Sequence, residues 1–174
     1  MAAGSSFSQI TSFVFDMDGV LTDGTLILFP DLYTQARKMH IKDGYALQLA
    51  IKKGYRVKVI SGSMSEPVIS RLEDLGVTDV SMGVKDKRAH LLTYMNTNKI
   101  NKDELLFMGD DIPDLDAMKE AGLPCCPSDA VAEIKEISVF VSSLAGGTGC
   151  VREVIEKVMR ARGDWQAMEG VRSL

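Results

Sequence analysis

The sequence predicts an α/β fold: a three-layer, Rossmann-like sandwich with a mostly parallel central sheet and a small β-hairpin flap. Three observations predict it. Short apolar runs alternate with longer amphipathic ones along the whole chain. Each short run stops at a polar or glycine-containing turn. One segment, residues 22–39, breaks the alternation. Strand–helix alternation implies parallel strands joined by crossover helices. The length, 174 residues with 45% apolar content, suits one compact domain with a buried core.

The elements follow in order. Phe13-Val14-Phe15, Val57-Lys58-Val59-Ile60, Leu105-Leu106-Phe107-Met108 and Val139-Phe140-Val141 read as buried strands, being short, apolar and turn-bounded. Helices are expected from about 44 to 53, stopped by Gly54, and over 67–75, ended by Gly76. Others are expected over 87–95, over 112–121 with Pro113 in the first turn, and over 149–162. The last carries Val151, Val154, Ile155, Val158 and Met159 along one face. Within 22–39, Leu26-Ile27-Leu28-Phe29, then Pro30-Asp31, then a second extended piece read as the hairpin, too short to be a domain of its own. Residues 1–9 are expected to be a disordered tail, 10–163 the folded domain and 164–174 a C-terminal tail.

Net charge is −4, which offers no overall basic field for nucleic acid or an anionic membrane. No run approaches the roughly 18 apolar residues of a membrane span, and the first nine residues lack the pattern of a secretory signal. Cys125, Cys126 and Cys150 are odd in number and form no CxxC pair, so a reducing cytoplasm is the expected setting.

In open α/β sheets, ligands bind beyond the carboxyl ends of the strands. Four places there carry chemistry. Asp16 and Asp18, in Asp16-Met17-Asp18-Gly19, end the first strand. Two carboxylates so close would repel, and a divalent cation such as Mg²⁺ relieves that. Ser61 ends the second run and precedes Gly62; its hydroxyl could donate to a phosphate oxygen or simply make a turn. Asp110 and Asp111 end the third run. Asp114 and Asp116, just beyond, suit a helix N-terminus. Lys87 opens a helix, where it could equally be solvated.

Taken together and in this order, the aspartate pair, the serine, the lysine and the acidic pair resemble the four motifs of the haloacid dehalogenase-like phosphohydrolases. The resemblance implies that Asp16 is a nucleophile forming an aspartyl-phosphate and that Asp18 is the general acid and base. It implies Mg²⁺ bound by the Asp16 carboxylate, the Asp18 backbone carbonyl and the Asp110 carboxylate, with Asp111 orienting that set. Ser61 and Lys87 would hold phosphoryl oxygens.

A finer resemblance covers about residues 13–159. His40-Ile41-Lys42-Asp43-Gly44 and Gly146-Gly147-Thr148-Gly149-Cys150-Val151-Arg152-Glu153, with a hairpin in place of a cap domain, are similar to the capless family of 3-deoxy-D-manno-octulosonate 8-phosphate phosphatases. That family implies a homotetramer whose active sites are completed by neighbouring chains, and a place in lipopolysaccharide precursor synthesis. It implies substrate contacts from Asp18, His40, Ile41, Lys42, Asp43, Gly44, Gln48, Ser63, Arg71 and Lys87. Lys42 stands in the place of a common arginine, Ser63 where many members and Gln48 where some members carry one. A related branch acting on nine-carbon 2-keto-3-deoxy-sugar 9-phosphates, the alternative substrate, carries an acidic residue at the Ser63 position, and Ser63 fits neither pattern. The glycine-rich segment leads into a helix start, where anions are welcome. A receiver-like signalling domain uses similar residues but carries its acidic pair at the first strand and its phospho-acceptor later, the reverse of the order here. A catalytically silent scaffold is the remaining alternative, against which the complete set of motif carboxylates argues.

Overall fold

The computed structural model describes residues 7–31, 35–166 and 171. Six parallel strands form the central sheet: β1 (Ser12–Phe15), β4 (Arg56–Ile60), β5 (Asp79–Ser81), β6 (Leu105–Met108), β7 (Leu123–Cys126) and β8 (Phe140–Val141). Their order is β5-β4-β1-β6-β7-β8. The hairpin, β2 (Ile27–Leu28) with β3 (Gln35–Ala36), is antiparallel and separate from the sheet. Six α-helices complete the described fold: α1 (Ile41–Lys52), α2 (Glu66–Asp74), α3 (Lys87–Asn98), α4 (Leu115–Met118), α5 (Ala132–Ile137) and α6 (Cys150–Ala161).

Alternation along the strands splits the core into two. Phe13 and Phe15 of β1, Val57 and Val59 of β4, and Leu106 and Met108 of β6 join Leu47 of α1 and Val151, Val154 and Val158 of α6 on one face. Val14, Ile60, Leu105 and Phe107 join Leu91 of α3, Met118 of α4 and Ile134 of α5 on the other. Successive side chains of a strand point to opposite faces, so continuous apolar runs are what a sheet covered on both faces requires. Each large side chain so buried contributes about 1.5–3 kcal/mol.

The structure differs from the sequence expectation in identifiable places. β5 and β7 are additional strands. Asp79-Val80-Ser81 has one apolar residue because β5 is an edge, and Pro124 in β7 is a residue that ordinarily argues against a strand. Helix α5 is also additional, and the expected helix over 112–121 is a tight turn, Ile112–Asp114, followed by the four-residue α4. Of the expected tails, residues 1–6, 167–170 and 172–174 lie outside the described residues. The remainder belongs to the folded body. Phe7 is buried and packs edge-on against Phe140 with ring centroids 5.8 Å apart. Trp165 packs against Tyr45, and Asp164 accepts a 2.6 Å hydrogen bond from the Tyr55 hydroxyl.

Register positions the functional edge. Phe15 is level with Val59 on one side and Met108 on the other. Asp16, Ser61 and Asp110 therefore leave the sheet at one edge. The chain order also reverses at β1, with β4 on one side and β6 on the other, and such switch points open a crevice.

Candidate active site

The Asp loop is built by its backbone. The Asp16 amide donates to the Met108 carbonyl at 3.0 Å, tying the end of β1 to β6. The turn over Met17–Leu21 is non-helical at Asp18 and Gly19, and Gly19 has φ 86°. A side chain there would be strained, and its Cβ would collide with the Asp110 carboxylate. Gly19 thus lets the loops after β1 and β6 approach each other.

Around that approach lie Asp16, Lys87, Asp110 and Asp114. The Lys87 ammonium sits 2.8 Å from Asp16 Oδ1 and 2.6 Å from Asp114 Oδ1. Asp114 Oδ2 accepts from the Asp110 amide at 3.1 Å. Asp16, Lys87 and Asp114 are all buried. Carboxylate oxygens of Asp16, Asp110 and Asp114 lie within 4.8 Å of one another. Burial first, then the charge of Asp114, pushes the Asp16 pKa above the usual carboxylate range, although Lys87 opposes the shift. Burial, Asp16 and Asp114 push Asp110 up to about 8. Burial alone would lower the Lys87 pKa, but Asp16 and Asp114 hold it above normal.

This donor set fits a divalent cation. Three carboxylates face one ammonium, leaving excess negative charge in a nearly dry place. Asp110 Oδ1 is buried with no hydrogen-bond partner among the described residues. Mg²⁺ takes a few carboxylate oxygens and keeps water or phosphate in its other positions. Asp16 and Asp110 have oxygens to give. Both oxygens of Asp114 are committed, one to Lys87 and one to the Asp110 amide.

Asp114 is the residue that sequence reasoning missed. It reads as a helix cap, yet its side chain caps nothing on α4 and instead positions Lys87 and Asp110. Asp111, expected to orient the metal set, is exposed, and its carboxylate accepts from the Ile112 amide at 2.8 Å.

Asp18 is half-buried beside this cluster. Its Oδ1 accepts from Arg37 Nε at 2.8 Å and from the Thr22 hydroxyl at 3.2 Å, and its Oδ2 from the Ser63 hydroxyl at 2.7 Å. Burial would raise its pKa, but the hydrogen bonds of Arg37 and Ser63 together with the charge of Arg37 outweigh it and hold Asp18 low. Ser61 Oγ lies 3.1 Å from Ser63 Oγ and accepts from the Ser63 amide at 3.1 Å. Asp16, Asp18, Ser61, Ser63, Lys87, Asp110 and Asp111 line one cleft of about 330 Å³. Asp114 and the adjoining glycines complete its wall.

The other expected ligand contacts lie elsewhere. His40, Ile41, Asp43, Gly44 and Arg71 line a separate pocket of about 300 Å³. Lys42 and His40 border a third, of about 580 Å³, with Thr148 and Arg152. Gln48 is buried on α1. Asp43 is buried too, and its Oδ1 accepts from the Arg152 amide at 2.7 Å. It therefore caps the start of α6 from another helix. Burial pushes it up to about 6, despite the Arg152 amide and charge.

The glycine-rich segment also has a different use from the one its sequence suggests. A Cβ on Gly146 would collide with the Gly19 carbonyl, and one on Gly147 with the backbone of Thr22 and Asp23. The Gly147 amide donates to the Val20 carbonyl at 2.9 Å, and the Gly146 amide to Asp129 at 2.9 Å. The segment braces the Asp loop, backbone against backbone. The anion at the α6 N-terminus is Asp43, from within the chain.

No family model matches the chain. Curated and solved relatives do. The 3-deoxy-D-manno-octulosonate 8-phosphate phosphatase KdsC of Escherichia coli K12 is 29% identical over 93% of this chain and 86% of its own. The crystal structure of the Moraxella catarrhalis phosphatase of that name, in complex with a magnesium ion, a phosphate ion and a KDO molecule, superposes with a TM-score of 0.90. It is 29% identical, over 94% of this chain and 93% of that one. A hydrolase of the HAD superfamily, subfamily III A, from Legionella pneumophila is 31% identical, with a TM-score of 0.89, over 92% of this chain and 88% of that one. On that similarity, spread over nearly the whole length and joined to a carboxylate cluster at the switch point of the sheet, the chain belongs to the HAD superfamily of hydrolases, among its KdsC-type phosphatases.

Proposed function

We propose that the chain hydrolyses 3-deoxy-D-manno-octulosonate 8-phosphate to 3-deoxy-D-manno-octulosonate and phosphate. The observation that carries the reading is the convergence of Asp16, Lys87, Asp110 and Asp114 at one edge of the sheet, together with relatives that bear this activity in their names.

Asp16 is the nucleophile. One of its oxygens bonds to phosphorus as the bond between phosphorus and the sugar oxygen breaks. The negative charge of a bound phosphate raises the Asp18 pKa, so that Asp18 takes up a proton from solvent and gives it to that oxygen. Asp18 then takes a proton from a water whose oxygen bonds to phosphorus, which frees phosphate and restores Asp16. Lys87 and Ser61 hold phosphoryl oxygens where charge develops. Asp16 and Asp110 carboxylates, with the Asp18 carbonyl, would hold the Mg²⁺. When bound, the ion supplies positive charge to the phosphoryl oxygens.

Substrate selection belongs to an assembly of copies. His40, Ile41, Lys42, Asp43, Gly44, Gln48 and Arg71 do not line the carboxylate cleft of their own chain. Meanwhile Leu26, Ile27, Leu28 and Phe29 of the hairpin are 44–69% exposed, an apolar strip that suits burial against copies of itself. A homotetramer lets one chain complete the site of the next. The setting is a reducing cytoplasm, in lipopolysaccharide precursor synthesis.

The test is phosphate release with Mg²⁺ from a panel of eight- and nine-carbon keto-sugar phosphates. Preference for the eight-carbon ester supports the reading. Preference for the nine-carbon one replaces the sugar and keeps the mechanism. Phosphorylation of the protein with no net release would favour a receiver.

A further inference from the structure

Arg37 touches the cleft only through Asp18. It follows β3 on a hairpin whose apolar residues are exposed. Its side chain is nevertheless only 7% exposed, because it lies along the Asp18 carboxylate. Nε reaches Oδ1 at 2.8 Å and Nη2 reaches Oδ2 at 3.4 Å, so both oxygens are gripped from one side. The Thr22 and Ser63 hydroxyls hold the same oxygens from two other segments. The carboxylate is thereby fixed by the hairpin, by the loop after β1 and by the loop after β4.

The hairpin arm is itself kept in register. The backbone bridge between Met39 and Thr22 does this, and the Lys38–Asp23 ion pair beside it, at 2.7 Å with Lys38 73% exposed, adds little. Arg37 does not line the cleft, whereas Asp18 does. Its fork therefore acts on the carboxylate's direction and not on a bound phosphate. Arginine is suited to this, since its planar fork loses little freedom per bond formed, and paired N–H donors set an angle as well as a distance.

We infer that Arg37 is a positioning residue of the reaction: from the hairpin it aims the Asp18 carboxylate at the place where the leaving-group oxygen sits. The inference rests on the role proposed for Asp18. A group that hands over a proton must be held near its target, and an error of about 1 Å can cost about 100-fold in rate.

The test compares two substrates. An alkyl phosphate, such as the sugar ester, needs its leaving oxygen protonated. p-Nitrophenyl phosphate leaves as a stable phenolate and needs no proton. Asp18→Asn should lose the alkyl ester selectively. Arg37→Met should do the same, lowering kcat on the alkyl ester about 30- to 100-fold while KM and p-nitrophenyl phosphate turnover change less than about threefold. Arg37→Lys should recover part of the loss. Lys38→Met breaks the neighbouring ion pair on the same arm and should leave the ratio of the two activities unchanged. That ratio does not depend on the fraction of folded protein. If Asp18→Asn is selective and Arg37→Met lowers both activities equally, or neither, the positioning role is overturned. If Asp18→Asn is itself unselective, the acid assignment fails and the role of Arg37 fails with it.

Discussion

The edge of the sheet at β1 and β6 and the flank formed by the hairpin and the His40–Gly44 stretch are adjacent in the chain but built on opposite principles. At the edge, Asp16, Lys87 and Asp114 are buried and both Asp114 oxygens have assigned donors. Asp110 Oδ1 is buried there with no hydrogen-bond partner among the described residues. On the flank, Leu28 is 69% and Ile41 70% exposed, and none of Asp16, Asp18, Asp110 or Asp114 lines the pockets there. In the proposed reading one chain makes the phosphoryl-transfer apparatus, and recognition of the rest of the substrate falls to a surface completed by another chain. Arg37 and the Gly146-Gly147 brace are where the two regions meet.

The comparison breaks most visibly at the nucleophile. Asp16→Asn should reduce phosphate release by about 10⁴-fold or more while the fold persists, since groups acting in covalent catalysis fail nearly completely when removed. Steady-state assays with circular dichroism on the same sample check it. Gly146→Ala should come next. Its Cβ meets the Gly19 carbonyl, so the Asp loop must shift, at a cost of about 1–3 kcal/mol in stability. The same shift should lower turnover by about 100-fold. Thermal denaturation and kinetics read the two effects.

Titration sharpens the contrast. Burial and like charge hold Asp110 up at about 8 in the metal-free protein, so below that pH its carboxyl keeps a proton that Mg²⁺ must displace. Apparent Mg²⁺ affinity should therefore rise from pH 6 to pH 8 and level off above, by up to about tenfold per pH unit. Calorimetry in buffers of different ionisation heat should show proton release. On the flank the effect is smaller and concerns stability. The Asp43 pKa is raised from 3.8 to about 6 on folding, so between those values the folded state binds the extra proton. Stability should fall as pH rises across that window, by about 1–3 kcal/mol from this group. Asp43→Asn, which keeps an acceptor for the Arg152 amide, should flatten that part of the profile in urea titrations.

Much of the fold was legible because β1, β4 and β6 are covered on both faces and are largely apolar, with buried Lys58 of β4 paired to Asp79. β5 was not, since an edge strand needs little apolar surface, nor β7, whose proline argues against a strand. At the site, strand-end residues Asp16, Ser61 and Asp110 could be placed because strand ends are visible in the pattern. Asp114 and Arg37 could not. Their partners lie 27 and 19 residues away, and locally Asp114 carries only the signature of a helix start. Gly146 and Gly147 show the same gap in reverse. A glycine-rich run before a helix reads as an anion cradle, and only the packing reveals that another backbone fills it.

The central claim is that Asp16 carries the phosphoryl group between the two half-reactions. Rapid acid quench of the enzyme turning over a radiolabelled phosphate ester tests it directly. The account predicts protein-bound label that forms and decays fast enough to explain turnover and maps to the peptide containing Asp16. Full turnover with no label on that peptide would contradict it.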